Sequence, residues 1–196
     1  ALGVALSTAV TIATLRGTQI CIDYYEQLLA ELHERVADGI AAVPGEKHRL
    51  GWDNLAIWYK IQFLAKKFAE HKAALVVSTY AESFCYQAPY RDENDILRSM
   101  AANYIAGYIN HGLDYREREL LEMAEKFNLN GFVMHSNRSC RAYSLGQYEL
   151  ARRLDEKHGL PTIMIEGDQS DTRSWSDEQV ATRIDAFMEL VASRAS

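Results

Sequence analysis

The residues best equipped for chemistry stand in one run, His135-Ser136-Asn137-Arg138-Ser139-Cys140-Arg141-Ala142-Tyr143-Ser144. It lies between the apolar Gly131-Phe132-Val133-Met134 and a segment of helical periodicity that begins at Ser144. A thiol placed there sits in the turn from a buried strand into a helix, where open α/β sheets gather their ligands. Arg138 and Arg141, one on each side, favour thiolate over thiol, and the thiolate is the form that binds metal or attacks an electrophile. A packing role stands beside that reading, because a buried cysteine behaves as a small hydrophobe.

Other candidates carry two readings each. His135 ends a strand, either as a neutral imidazole bonded to backbone or as a proton donor or partner to a ligand. Asp168, Asp171 and Arg173 form either a charged turn capping the last helix or part of an acid–base set. Glu82 and Glu166 stand near strand ends, as a base, a ligand-orienting group or solvated loop carboxylates. Tyr80, Tyr86, Tyr90 and Tyr143, among 11 tyrosines, suit an aromatic-lined pocket. Cys85, between Phe84 and Tyr86, and Cys21, between Ile20 and Ile22, look like packing residues.

These groups need a scaffold, and the apolar pattern supplies one. Tyr25, Leu28, Leu29, Leu32, Val36 and Ile40 mark one face of a long helix from Gln19 to Ile40, closed by Gly39 and Pro44-Gly45. Four short apolar runs follow, at His48 to Trp52, Ala74 to Val77, Gly131 to Met134 and Thr162 to Ile165. Helical stretches alternate with them: Leu55 to Glu70, Asp95 to Asn128 in two pieces broken near His111-Gly112, Ser144 to His158, and Ser176 to about Ala192. Ser144-x-x-Gln147 and Ser176-x-x-Gln179 read as reciprocal helix caps. Strands that do not alternate in polarity, in the order βαβαβαβα, imply a parallel sheet covered on both faces. The expected fold is a four-stranded, doubly wound α/β domain, flavodoxin-like or Rossmann-like, over 46–196, after a helical segment over 1–45.

Composition narrows the function classes. A chain of 196 residues with 48% hydrophobic and 24% charged residues is an ordinary globular protein. A net charge of −6 without a basic cluster speaks against nucleic acid as the main partner. Three cysteines, odd in number and without a Cys-x-x-Cys pair, are not a disulfide framework, and free thiols suit a reducing, cytoplasmic setting. The apolar opening from Ala1 to Thr14 is shorter than a membrane span requires and is expected to be buried structure. Lacking a partner element before it, it suggests the later part of a longer polypeptide. None of the strand-to-helix turns is a glycine-rich phosphate loop.

The run His135 to Arg141, continued by Tyr143-Ser144-Leu145-Gly146-Gln147-Tyr148, resembles the family of 2-hydroxyacyl-CoA dehydratase and benzoyl-CoA reductase subunits. Gly159-Leu160-Pro161-Thr162, Glu166-Gly167-Asp168, Thr182 to Glu189, Pro44 to Leu50 and Tyr104 to Arg116 add to the likeness, which covers most of 19–192. The Ser-Cys-Arg turn is its most specific piece.

The resemblance implies a 4Fe-4S cluster held by three cysteines with one iron site open, and Cys140 matches the last of the three. The other two belong to the N-terminal half of the family's polypeptide, and neither Cys21 nor Cys85 matches them. It further implies an ATP-dependent activator that delivers one electron, a ketyl radical formed from the thioester, and loss of the 2-hydroxyl as water to give an enoyl-CoA. A homologous second subunit would complete the enzyme. On that basis Cys140 is expected as metal ligand, with Ser139, Arg141 and His135 around it tuning its charge and hydrogen bonding. Joined to the residue readings above, this makes His135 and Glu82 the expected catalytic groups and places Tyr80, Tyr143, Ser139 and Arg141 around the acyl-CoA. Aromatic-ring reduction of benzoyl-CoA is the alternative activity. A cluster-free subunit-interaction or CoA-binding module is the alternative of another class.

Overall fold

Four parallel strands in the order β2-β1-β3-β4 form the framework, each too short and apolar to stand without cover on both faces. They are β1 (His48–Asp53), β2 (Ala73–Ser78), β3 (Gly131–Asn137) and β4 (Thr162–Gly167). A computed structural model describes residues 2–83 and 92–194. Cys85, Tyr86 and Tyr90 lie outside the described residues.

Helix α1 (Leu2–Leu15) and helix α2 (Gln19–Ala37) precede the sheet. Helix α3 (Ile61–Glu70) connects β1 to β2, and α4 (Thr79–Glu82), α5 (Ile96–Ile105) and α6 (Leu113–Phe127) lie between β2 and β3. The short α7 (Arg141–Ser144) and then α8 (Gln147–His158) lead to β4, and α9 (Asp177–Arg194) closes the chain.

Successive strand residues point to opposite faces, so each strand feeds two cores. Leu50, Trp52, Val133, Ile163 and Ile165 meet Leu64 and Phe68 of α3 and Val180, Ile184 and Phe187 of α9. Phe132, Met134 and Met164 meet Leu120 of α6 and Leu150 and Leu154 of α8 on the other side. This is the expected α/β architecture, a four-stranded parallel sheet with helices on its faces. Gly51 allows it locally: a Cβ there would stand 2.5 Å from the Phe132 ring.

Local boundaries differ from the sequence reading in several places. The helix expected from Leu55 begins at Ile61, after a short turn over Trp58–Lys60, and the one expected to reach Ile40 ends at Ala37. Strand β3 runs on through His135 and Ser136 to Asn137, because these polar residues keep pairing with Ile165, Glu166 and Gly167 of β4. His135 is therefore inside the sheet rather than at its end. The expected helix start at Ser144 moves to Gln147, since Gly146, at φ +83°, turns the chain between α7 and α8. The Ser144 hydroxyl instead donates to the Asn137 carbonyl at 2.9 Å. The second expected cap is partly present: Ser176 Oγ accepts from the Gln179 amide at 3.4 Å, ahead of α9.

The N-terminal helices differ in burial as well. Helix α1 lies against β2 and α4. Tyr25 of α2 donates its hydroxyl to the Thr8 carbonyl at 2.7 Å. Ala9 is buried, but Val10 is exposed, so the opening stretch is only partly the buried element expected. The apolar stripe of α2 is real in spacing, yet Leu29, Leu32 and Val36 face solvent. Among the described residues no helix is long and apolar enough to cross a membrane.

Candidate functional site

The strand order reverses direction at β1, whose neighbours β2 and β3 continue the chain on opposite sides. Connections leaving the carboxyl ends of β1 and β3 must diverge there, and the crevice that opens is the usual ligand position in such sheets. Cys140 follows the end of β3 by three residues.

Asn137, the last residue of β3, builds the turn that carries the thiol. Its side-chain oxygen accepts from the Ser139 amide at 3.0 Å, and its carbonyl accepts from the Cys140 amide at 3.3 Å. This is the local bonding that asparagine offers to turns. Cys140 is half-buried, stands immediately before α7 and packs against the apolar cluster between the sheet and α6 and α8. Of the two flanking cations, Arg138 is drawn onto Glu166 at 2.6 Å, so its charge is shared with a carboxylate, while Arg141 is exposed.

Asp168 ties the turn after β4 to the turn after β3. It accepts from the Ser139 hydroxyl and from the amides of Ser170 and Asp171, both at 2.9 Å. These donors hold its carboxyl at about 2, with Ser139 the largest influence. The reading of Asp168 as a charged cap of the last helix gives way to this: the last helix begins nine residues later, and Asp168 is buried. Asp171 and Arg173 pair with each other.

His135 is wholly buried. Its Nδ1 lies 2.8 Å from the Leu55 carbonyl, so Nδ1–H donates there, and burial lowers its pKa and keeps the ring neutral. Tyr143 is buried as well, 6.0 Å from the ring of Tyr108. Burial pushes its phenol up to about 12, against the opposing effect of the Ser83 and Thr79 hydroxyls beside it. Tyr80 is half-buried, edge-on to Trp58 at 6.1 Å. Glu82 lines a cavity of about 350 Å³ with Thr79, Tyr108, Tyr115, Glu119 and Lys126. Cys140, Ser139 and Arg141 are not in its wall. The expected residues thus fall into a rim group (Ser139, Cys140, Arg141), a group beyond β2 (Tyr80, Glu82) and two buried supports (His135, Tyr143).

Between these groups lies a polar centre that sequence reasoning missed. Asp53 ends β1 with 0% exposure and accepts from Thr79 Oγ1 at 2.9 Å and from Gln147 Nε2 at 2.7 Å. Its carboxylate is 3.8 Å from the guanidinium of Arg116, itself 3% exposed. Arg116 donates to the carbonyls of Tyr143 at 2.9 Å and Leu145 at 3.1 Å, and lies 4.8 Å from the centre of the Tyr108 ring. Asn54, at φ +89°, donates to the His135 carbonyl at 2.7 Å. A signal was present: Arg116 shares the helical stripe of Leu113, Leu120 and Ala124, where a cation is out of place unless it is paired.

With this geometry in place, comparison with known proteins decides the family. The model of the 2-hydroxyglutaryl-CoA dehydratase D-component family matches residues 3–191. The chain belongs to that family. It is 32% identical to the (R)-phenyllactyl-CoA dehydratase alpha subunit of Clostridium sporogenes, over 91% of this chain and 43% of that protein. It is 35% identical to the lactoyl-CoA dehydratase subunit alpha of Anaerotignum propionicum, over 82% and 38%. It is 28% identical to one of the subunits of the benzoyl-CoA reductase of Thauera aromatica, over 92% and 44%. The chain therefore spans less than half the length of these relatives.

The D-component family is one of iron–sulfur systems, and the residues present can be tested against such a cofactor. Among the described residues no group of three or more His, Cys, Asp or Glu side chains could hold a metal ion. Cys21 is buried in the first turn of α2, which leaves Cys140 as the one described cysteine at the carboxyl edge of the sheet. A cluster is held by several thiolates. One thiol does not make that set, so these residues do not by themselves fit a cluster.

Proposed function

We propose that the chain is part of the alpha-type subunit of an (R)-2-hydroxyacyl-CoA dehydratase, which eliminates water from a 2-hydroxyacyl-CoA to give an enoyl-CoA. The supporting observation is identity above 30% to two dehydratase alpha subunits over most of the chain, joined to a thiol-bearing turn at the sheet's switch point. Cys140 is proposed as one ligand of an iron–sulfur cluster whose other ligands lie beyond the described residues. The partners proposed are a homologous second subunit and an ATP-dependent activator, in a cytoplasmic enzyme.

The chain's own residues then bind and position. Ser139, held by Asp168, and Arg141 at the rim offer a hydroxyl and a cation to the polar parts of an acyl-CoA. Neutral, buried His135 holds the Leu55 carbonyl in the loop after β1, while Tyr143, its phenol beside the Ser83 and Thr79 hydroxyls, walls the turn from below. Glu82 and Tyr80, beyond β2, are proposed to face the substrate from the other side of the crevice.

A second reading, part of a benzoyl-CoA reductase, has its support in the identity to the Thauera aromatica protein. Product analysis separates the two. The full-length protein, with partner subunit, activator and a strong reductant, is expected to convert a 2-hydroxyacyl-CoA to the enoyl-CoA and leave benzoyl-CoA unchanged. Reduction of benzoyl-CoA without dehydration would overturn the proposal in favour of the second reading.

A further inference from the structure

We infer that Asp53, Arg116 and Gln147 are positioning residues for the turn that carries Cys140; the inference rests on the reading of that turn as part of the site. The Arg116 guanidinium bonds the carbonyls of Tyr143 and Leu145, the last residue of α7 but one and the residue just past its end. A cation at that place satisfies carbonyls that a helix end leaves unpaired and meets the negative end of the peptide dipoles. Helix α7 has only four residues, so it holds no shape by its own ladder. Its geometry must come from outside, and Arg116 grips it from beneath.

Asp53 explains why a buried cation is tolerated. Its carboxylate faces Arg116 and is also bonded by Thr79 at the start of α4 and Gln147 at the start of α8. With Thr79, these side chains connect the ends of β1 and β2 to the 141–147 segment, below the crevice. From above, Asn137 and Asp168 hold Ser139. Cys140 lies between the two sets, its amide bonded to Asn137 and its carbonyl to Ser144. Loosening the lower set frees the segment that presents the thiol without touching the thiol itself.

The test uses the full-length protein, cluster-free, with iodoacetamide as probe and peptide mass spectrometry to read each cysteine separately. In Arg116→Lys, which keeps the charge but replaces the two-nitrogen fork with a single ammonium nitrogen, Cys140 is expected to alkylate about tenfold faster, the scale set by losing one charge-assisted hydrogen bond. Gln147→Met, neutral and of similar size, is expected to accelerate it less. Cys21 keeps its rate in both variants. An unchanged Cys140 rate, or Cys21 and Cys140 rising together as in general loosening, would overturn the inference. Should Arg116→Lys fail to fold, Gln147→Met decides alone by the same criteria. Failure of the ligand reading is seen elsewhere, as iron retained in Cys140→Ala, and leaves this measurement standing.

Discussion

Asp53 carries a charge where water does not reach, so the cost of removing it is set by what it leaves behind. Asp53→Ala strands Arg116 without its counter-ion and is expected to lower unfolding stability by about 3–5 kcal/mol, read from urea midpoints. His135 makes a different prediction. Its folded-state pKa lies below the ordinary 6.5, so the unfolded chain binds the proton more readily. Its contribution is present in full above pH 6.5 and is lost as pH falls below that value. Urea midpoints from neutral pH to pH 5 should fall for the wild type and fall less steeply for His135→Gln. Cys140 and its flanking residues were legible as a turn because a thiol, two arginines and a small-residue run interrupt an apolar pattern. The Asp53–Arg116 pair was not, because each partner lies in an otherwise ordinary element and only folding brings them together.

The elements themselves were legible wherever their apolar spacing is strong: all four strands and the helices α3, α6, α8 and α9 follow it. Their ends were not. Strand β3 outruns its apolar core because pairing with β4, rather than side-chain type, keeps His135 to Asn137 extended. The start of α8 was misplaced because the capping pattern at Ser144 loses to Gly146, whose left-handed backbone separates α7 from α8. Gly146→Ala is expected to cost about 1–2 kcal/mol from backbone conformation alone. Leu113 must also shift, because the new Cβ would stand 2.5 Å from its Cδ2. The link between the turns after β3 and β4 depends on ionised Asp168. With its carboxyl at about 2 against an ordinary 3.8, its contribution is full above pH 4 or so and is lost as pH falls towards 2. Acid titration of the wild type should show a steeper loss of stability in that window than Asp168→Asn.

At the scale of the whole molecule, a sheet covered on both faces places one thiol-bearing turn at the point where strand order reverses, and a buried polar centre supports it from below. The exposed stripe of α2, with Val36 77% exposed, shows that helical spacing predicted an element but not its burial. The family match and the dehydratase relatives say what related scaffolds are used for, and on the proposed reading Cys140 is where such a use would meet this chain. Anaerobic iron and acid-labile sulfide analysis of the full-length protein, wild type against Cys140→Ala, tests this most directly. The substitution is expected to lower both iron and sulfide while the far-ultraviolet circular dichroism stays that of the wild type. Equal iron and sulfide in the two proteins would contradict it.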